Sequence, residues 1–276
     1  MHPDHRHLKG PQGTVTRGTT NPNRLRRIDR YAAFLLESPL RHDSDRLVVD
    51  LGFGAAATTP AEMHARLRRT APRVRTLGLE IEPARVAVAA AHAGAGLDFA
   101  LGGFEVPTPG GERPVLIRAY NVLRQYPEAE VPGAWALMAA RLAADGLLIE
   151  GTCDEIGRTA VFLTIPAANA AAAVRPATLT ISVKTDFIDH PAQVADRLPK
   201  ALIHHNVPGQ PVHEWLLALD RAWYTAAPLA TFSPRQRWIA MCRALKQAGE
   251  PVLHGPARWR LGEVTVPWER VAPLER

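Results

Sequence analysis

The sequence predicts an α/β fold: a three-layer sandwich whose mostly parallel twisted sheet is covered by helices on both faces, with a helical C-terminal extension. Three observations predict it. Short apolar runs alternate with helical stretches over roughly the first 150 residues, a rhythm that builds right-handed crossovers and a parallel sheet. RLVVD (46–50) is a short apolar run suited to a central parallel strand buried on both faces. The same run, in VVDLGFGAAA (48–57), breaks off into glycines ahead of a helix, and open α/β sheets receive their ligands at such strand ends.

The elements follow in order. Residues 1–20 lack periodicity and carry Gly, Pro and His, so a flexible arm is expected there. Leu25, Ile28, Tyr31, Ala32, Leu35 and Leu36 recur at helical spacing, with Arg24, Arg26, Arg27 and Arg30 on the other face. RLVVD (46–50) is the first strand, and Thr59-Pro60 starts the next helix, since a hydroxyl caps free amides and proline loses nothing at the first helical position. VRTLGLE (74–80), LDFALG (97–102), PVLIRAY (114–120) and GLLIEGT (146–152) read as further strands, with helices from Pro83 and over about residues 132–144 between them. VFLTI (161–165) and TLTISVK (178–184) are two more strands that extend the sheet. Beyond Asp186 the segments 191–203, 211–225 and 234–248 are helical, the last opening at Ser233-Pro234 and ending at Gly249. RWRLGEVTVPW (258–268) is expected to form a hairpin, and Trp215, Trp223 and Trp238 to belong to the core.

With 276 residues, 46% of them hydrophobic and 22% charged, the chain has enough material for a large core. Its two cysteines, Cys153 and Cys242, make no ligand or redox spacing, which favours a reducing, cytoplasmic setting. No apolar run suits a membrane span, and MHPDHRHLKGPQG lacks the apolar stretch of a leader, so no membrane partner is expected. Of the eleven histidines, His204 and His205 are adjacent and diverge, and no H-x-x-x-H pattern exists, so no metal site is expected. The net charge of +6 is carried largely by arginine. Residues 24–30 and the group Arg66, Arg68, Arg69, Arg73 and Arg75 read as solvated faces, with RNA contact as the alternative.

Gly52 and Gly54 permit positive φ and remove the Cβ atoms that would keep a ligand from the backbone. The helix after them points unpaired N–H groups at the same space. Asp50 places a carboxylate at the end of the first strand, and Glu80 repeats this one strand along, suited to the hydroxyls of a ribose. GFGAAA satisfies the G-x-G-x-x-G/A pattern, so NAD or NADP is a candidate. A carboxylate at 50 faces a pyrophosphate unfavourably but accepts bonds from a cationic amino group. That favours S-adenosylmethionine, which carries an ammonium and a sulfonium and no phosphate.

VVDLGFG, an acid before a glycine-bounded turn, and LGLEIEPARV resemble the first two motifs of the class I S-adenosylmethionine-dependent methyltransferases, whose strand–helix order about residues 47–152 follow. The resemblance implies a Rossmann-like fold and S-adenosylmethionine as cofactor. It places Asp50, Gly52, Phe53, Gly54, Glu80, Ile81, Gly103, Phe104 and Asn121 at that cofactor, with Glu80 at the ribose. Gly103 stands where the family usually has an acid or amide contacting adenine, so that contact is expected from Phe104 or from backbone. The fourth strand ends at Tyr120-Asn121, where the family turns groups toward the methyl acceptor; Asn121, Arg124 and Tyr126 are the catalytic candidates, and no base is assigned. In-line methyl displacement chiefly requires alignment and exclusion of water, and a base when the acceptor must lose a proton. The expected division is an arm (1–20), a cofactor-binding domain (21–184) and a helical extension (185–276) packed on the same domain and lining the acceptor site. The expected function is methyl transfer to a small molecule or RNA. The alternatives are a catalytically weak cofactor- or RNA-binding module of the same fold and an NAD(P)-dependent oxidoreductase. The sequence sets neither the acceptor nor the oligomeric state.

Overall fold

The computed structural model describes residues 11–15, 18, 21–168 and 173–274; the rest of the expected arm lies outside the described residues. Helices α1 (Arg26–Leu35) and α2 (Glu37–His42) precede strand β1 (Leu47–Leu51). Then α3 (Thr58–Leu67), β2 (Arg75–Glu80), α4 (Pro83–Ala90), β3 (Leu97–Leu101), β4 (Leu116–Tyr120), α5 (Val131–Arg141) and β5 (Leu147–Cys153) alternate as their periodicities predict. Strands β6 (Thr159–Pro166) and β7 (Thr178–Val183) come next. After them lie α6 (Lys200–Ile203), α7 (Pro211–Thr225), α8 (Pro234–Gln247), α9 (Pro256–Trp259) and a final strand, β8 (Glu263–Pro267).

These strands form one sheet in the order β3-β2-β1-β4-β5-β6-β7-β8. The first five are parallel, and β6, β7 and β8 are antiparallel additions. The arrangement is Rossmann-like. Its order reverses at β1, which lies between β2 and β4, so a crevice opens beyond the carboxyl ends of β1 and β4. Register fixes what faces that crevice: Asp50 is paired with Gly78 on one side and Arg118 on the other. Directly paired residues share a face of the sheet, so the two charges meet.

On one face Val48, Leu116, Ile149 and Phe162 pack under Ile28 and Tyr31 of α1 and Met63 and Leu67 of α3. On the other, Val49, Ile117, Leu148 and Ile181 pack under Trp135 of α5, Trp215 of α7 and Trp238 of α8. The three tryptophans of the extension are core residues, as expected, with Trp223 edge-on to Trp238 at 6.4 Å.

Three local expectations change. RWRLGEVTVPW does not fold on itself: β8 pairs with β7, with Val264 opposite Ile181, because β7 otherwise presents an open apolar edge that Val264 and Val266 cover. Thr59 does not cap α3; its hydroxyl donates to Asp50 at 2.6 Å, a carboxylate being a stronger partner than a neutral group. The basic stretches are solvated only in part: Arg68, Arg69 and Arg73 are exposed as expected, whereas Arg27 is buried and others are tied to the fold. Arg27 and Arg30 donate to the Leu261 carbonyl, Arg30 also to Glu263, Arg66 to Asp29, Arg68 to the carbonyls of Pro72 and Ala95, and Arg75 to Glu112 and Asp45.

Candidate functional site

The chain leaves β1 through a bend in which Gly52 (φ +72°) and Gly54 (φ +87°) both occupy the left-handed region, where glycine is free of strain. A Cβ on Gly52 would come within 2.7 Å of Val122 Cγ2, so the bend lies hard against the chain leaving β4. Asn121, the first residue after β4, is left-handed too, at φ +58°. Its side-chain oxygen accepts the Cys153 N–H at 3.0 Å, which ties the ends of β4 and β5 together. Between these ends opens a cavity of about 580 Å³. Its wall includes Asp50, Gly52, Phe53, Gly54, Asn121 and Arg124 from the expected set, together with Arg24, Thr59, Tyr120, Cys153, Glu155 and Arg197. Glu80, Ile81, Gly103, Phe104 and Tyr126 wall a separate remnant of about 10 Å³, which shares Leu51 and Gly52 with the larger cavity.

The two strand-ending acids are engaged by the protein itself. Asp50 is 2% exposed; one oxygen accepts from Arg118 Nε at 2.8 Å, the other from the Thr59 hydroxyl at 2.6 Å and Arg118 Nη2 at 2.8 Å. Arg118 is completely buried and also donates to Asp29 of α1 and to the Thr59 carbonyl at 3.0 Å. Burial works against its charge, but Asp50 and Asp29 outweigh burial and hold the guanidinium protonated, above its ordinary pKa. Burial raises the Asp29 pKa, with Arg118 and Arg66 opposing. The carboxylate expected to meet a ligand's ammonium therefore balances an internal cation. Glu80, expected at a ribose, accepts the Gly54 N–H at 2.9 Å with one oxygen and the Ile81 N–H at 3.0 Å with the other. It braces the glycine bend.

The described part of the expected arm is packed along this rim. The Gln12 carbonyl accepts the Phe104 N–H at 2.9 Å, and the Gln12 N–H donates to one oxygen of Glu105 at 2.8 Å. The other Glu105 oxygen accepts the Gly103 N–H at 2.9 Å. A Cβ on Gly103 would overlap the Gln12 carbonyl, so this approach requires glycine. The Thr14 N–H donates to the Tyr126 hydroxyl, and the Gly18 carbonyl accepts the Ala55 N–H at 3.1 Å. Tyr126, whose ring packs on Phe104 at 5.2 Å, thus meets the segment and does not wall the larger cavity. Arg124 is exposed and donates to the Asp196 carbonyl at 2.8 Å.

Sequence reasoning assigned no individual role to Glu105, Arg118, Tyr120 or Cys153, although Tyr120 ends the fourth strand, where groups facing the acceptor were expected. Glu105 accepts both the Gln12 and Gly103 N–H groups, two residues beyond the position where an acid was looked for, in GGFE. Arg118 had no signal, because its role depends on register. Tyr120 and Cys153 line the cavity; the Tyr120 hydroxyl has no hydrogen-bond partner among the described residues. Burial raises the pKa of both the Tyr120 phenol and the Cys153 thiol, so neither is poised as an anion. From the C-terminal extension, Arg197 reaches the wall. Among the described residues no group of His, Cys, Asp or Glu is suited to a metal ion, and no helix is long and apolar enough to cross a membrane.

No protein-family model matches the chain, and no curated protein matches it in sequence. Among solved structures it is similar to human N-acetylserotonin methyltransferase in complex with SAM, at 20% identity and a TM-score of 0.35 over 49% of this chain and 36% of that one. It is similar to a structure described as a pericyclic reaction enzyme, at 19% identity and a TM-score of 0.34 over 43% of this chain and 30% of that one. N-methyltransferase NodS from Bradyrhizobium japonicum WM9 gives 20% identity and a TM-score of 0.32 over 45% of this chain and 68% of that one. The chain thus spans about a third of the length of the first two.

Proposed function

We propose that the chain is an S-adenosylmethionine-dependent methyltransferase acting on a small acceptor. One observation carries this reading: a cavity of about 580 Å³ lies at the switch point of the sheet, lined by the bend at Gly52 and Gly54, both at positive φ. The cofactor, when bound, supplies a methyl group on a sulfonium, a leaving group that needs no protonation. Its methionine end would lie along the bend at Gly52 and Gly54, with Asp50 held by Arg118. The residues present suit its nucleoside end once residues 12–14 withdraw, since the Phe104 N–H and the Glu105 carboxylate are a donor and an acceptor for a purine edge.

The protein's part is to hold. Glu80 keeps the bend in shape through the Gly54 N–H, and Asn121 fixes the end of β4 to β5. Asp50 is paired with Arg118, and the Tyr120 and Cys153 side chains keep their protons, so none of the three serves as a ready base. With these three set aside, the site suits an acceptor atom that carries a free lone pair or is already ionised. A small molecule is favoured over RNA because Arg27, Arg30 and Arg66 of the basic stretches are tied to groups of the protein itself.

A second reading, a catalytically weak binding module, is favoured by the hold of Gln12 on Phe104 and Glu105. Titration with S-adenosylhomocysteine, followed by transfer of labelled methyl groups to fractionated metabolites, tests both. Binding with transfer supports the enzyme, binding without transfer the module. Asn121→Ala is expected to weaken binding or transfer about tenfold by freeing the cavity wall. A melting temperature raised by NAD(P) and unmoved by S-adenosylhomocysteine would overturn the donor reading.

A further inference from the structure

We propose that residues 12–14 are an internal ligand of the nucleobase subsite and must leave before an adenine-bearing donor binds, an inference that rests on the donor reading above. Gln12 presents its N–H and its C=O to the same short stretch, donating to Glu105 at 2.8 Å and accepting from Phe104 at 2.9 Å. A six-aminopurine offers the same pair along one edge, an amino donor beside a ring-nitrogen acceptor. Backbone at Gln12 thus satisfies the groups that would read that edge. The two occupants exclude each other: the space left is about 10 Å³, at most a single water, and the side of Gly103 that a flat base would face is covered by the Gln12 carbonyl.

The segment is placed to come away without disturbing the core. Gln12 is half-buried, Gly13 and Thr14 are exposed, and their bonds run to the loops after β3 and β4. Segments with few buried apolar contacts open at low free energy. Donor affinity is then reduced by the fraction of chains in which the segment is withdrawn; a few net hydrogen bonds set that reduction at roughly tenfold.

Calorimetric titration of the full chain with S-adenosylhomocysteine, beside a Gly13→Val variant, tests this. Gly13 has φ +142°, which side chains rarely adopt, and a Cβ there would lie 2.9 Å from the Tyr126 hydroxyl oxygen, so valine unseats the segment. The variant is expected to bind about tenfold tighter. In the unsubstituted chain, addition of S-adenosylhomocysteine is expected to speed amide exchange over residues 11–15. Equal or weaker binding by the variant, or slowed exchange over 11–15, overturns the proposal and makes the segment a lid that closes on the donor. Binding by neither chain instead overturns the donor reading, and the internal ligand with it.

Discussion

Arg118 concentrates the residue-scale physics of the site. Its guanidinium reconciles two buried carboxylates from elements 68 and 89 residues away, Asp50 and Asp29. Removing one partner of such a set leaves uncompensated charge in the interior. Arg118→Met is expected to destabilise the fold by about 3–5 kcal/mol, measured by urea unfolding, with Asp29→Asn recovering part of the loss. Glu150 is the opposite case. It lies on β5 at 1% exposure, and burial pushes its carboxyl up to about 8 from an ordinary 4.5. The folded protein thus keeps a proton that the unfolded chain releases. The resulting stability is complete below about pH 4.5 and is lost as pH rises to about 8. A fall of a few kcal/mol across that window is expected, and Glu150→Gln is expected to flatten it.

At the scale of elements, helix signals were legible where they are local. Ser233 before Pro234 marks the start of α8, and the structure has its hydroxyl accepting the Gln236 N–H at 3.1 Å. Ser233→Ala is expected to lower stability by about 1 kcal/mol in thermal unfolding, without changing ligand binding. Thr59 carried the same kind of signal at α3 and was diverted to Asp50, because a carboxylate from another strand lay within reach. Strand β8 shows the limit of local reading. Its alternating residues fit a hairpin as well as an added strand, and the open edge of β7 decided between them.

At the scale of the whole molecule, the net charge of +6 already counts the carboxylates paired with arginine, and of the second basic group only Arg68, Arg69 and Arg73 stand exposed. Arg27, Arg30, Arg66 and Arg75 are held by the protein's own carbonyls and carboxylates. Binding to mixed RNA is therefore expected to be weak and lost near physiological salt in a filter-binding titration. The same scale governs the pocket, since β1, β2, β3 and β4, and the segment at residues 12–14, meet only when the sheet is assembled.

By itself the sequence determined the alternation of strands and helices, the parallel sheet and the glycine bend after β1, because apolar periodicity and the tolerance of glycine for positive φ act within a few residues. Tertiary structure alone decided which groups face a ligand. Asp50 met Arg118 through strand register, Glu80 turned to the Gly54 N–H, and Glu105 took up Gln12 from 93 residues away. Pairings at such separations follow from how strands align and loops pack, and hydrogen-bonding residues leave no local pattern that announces their partners.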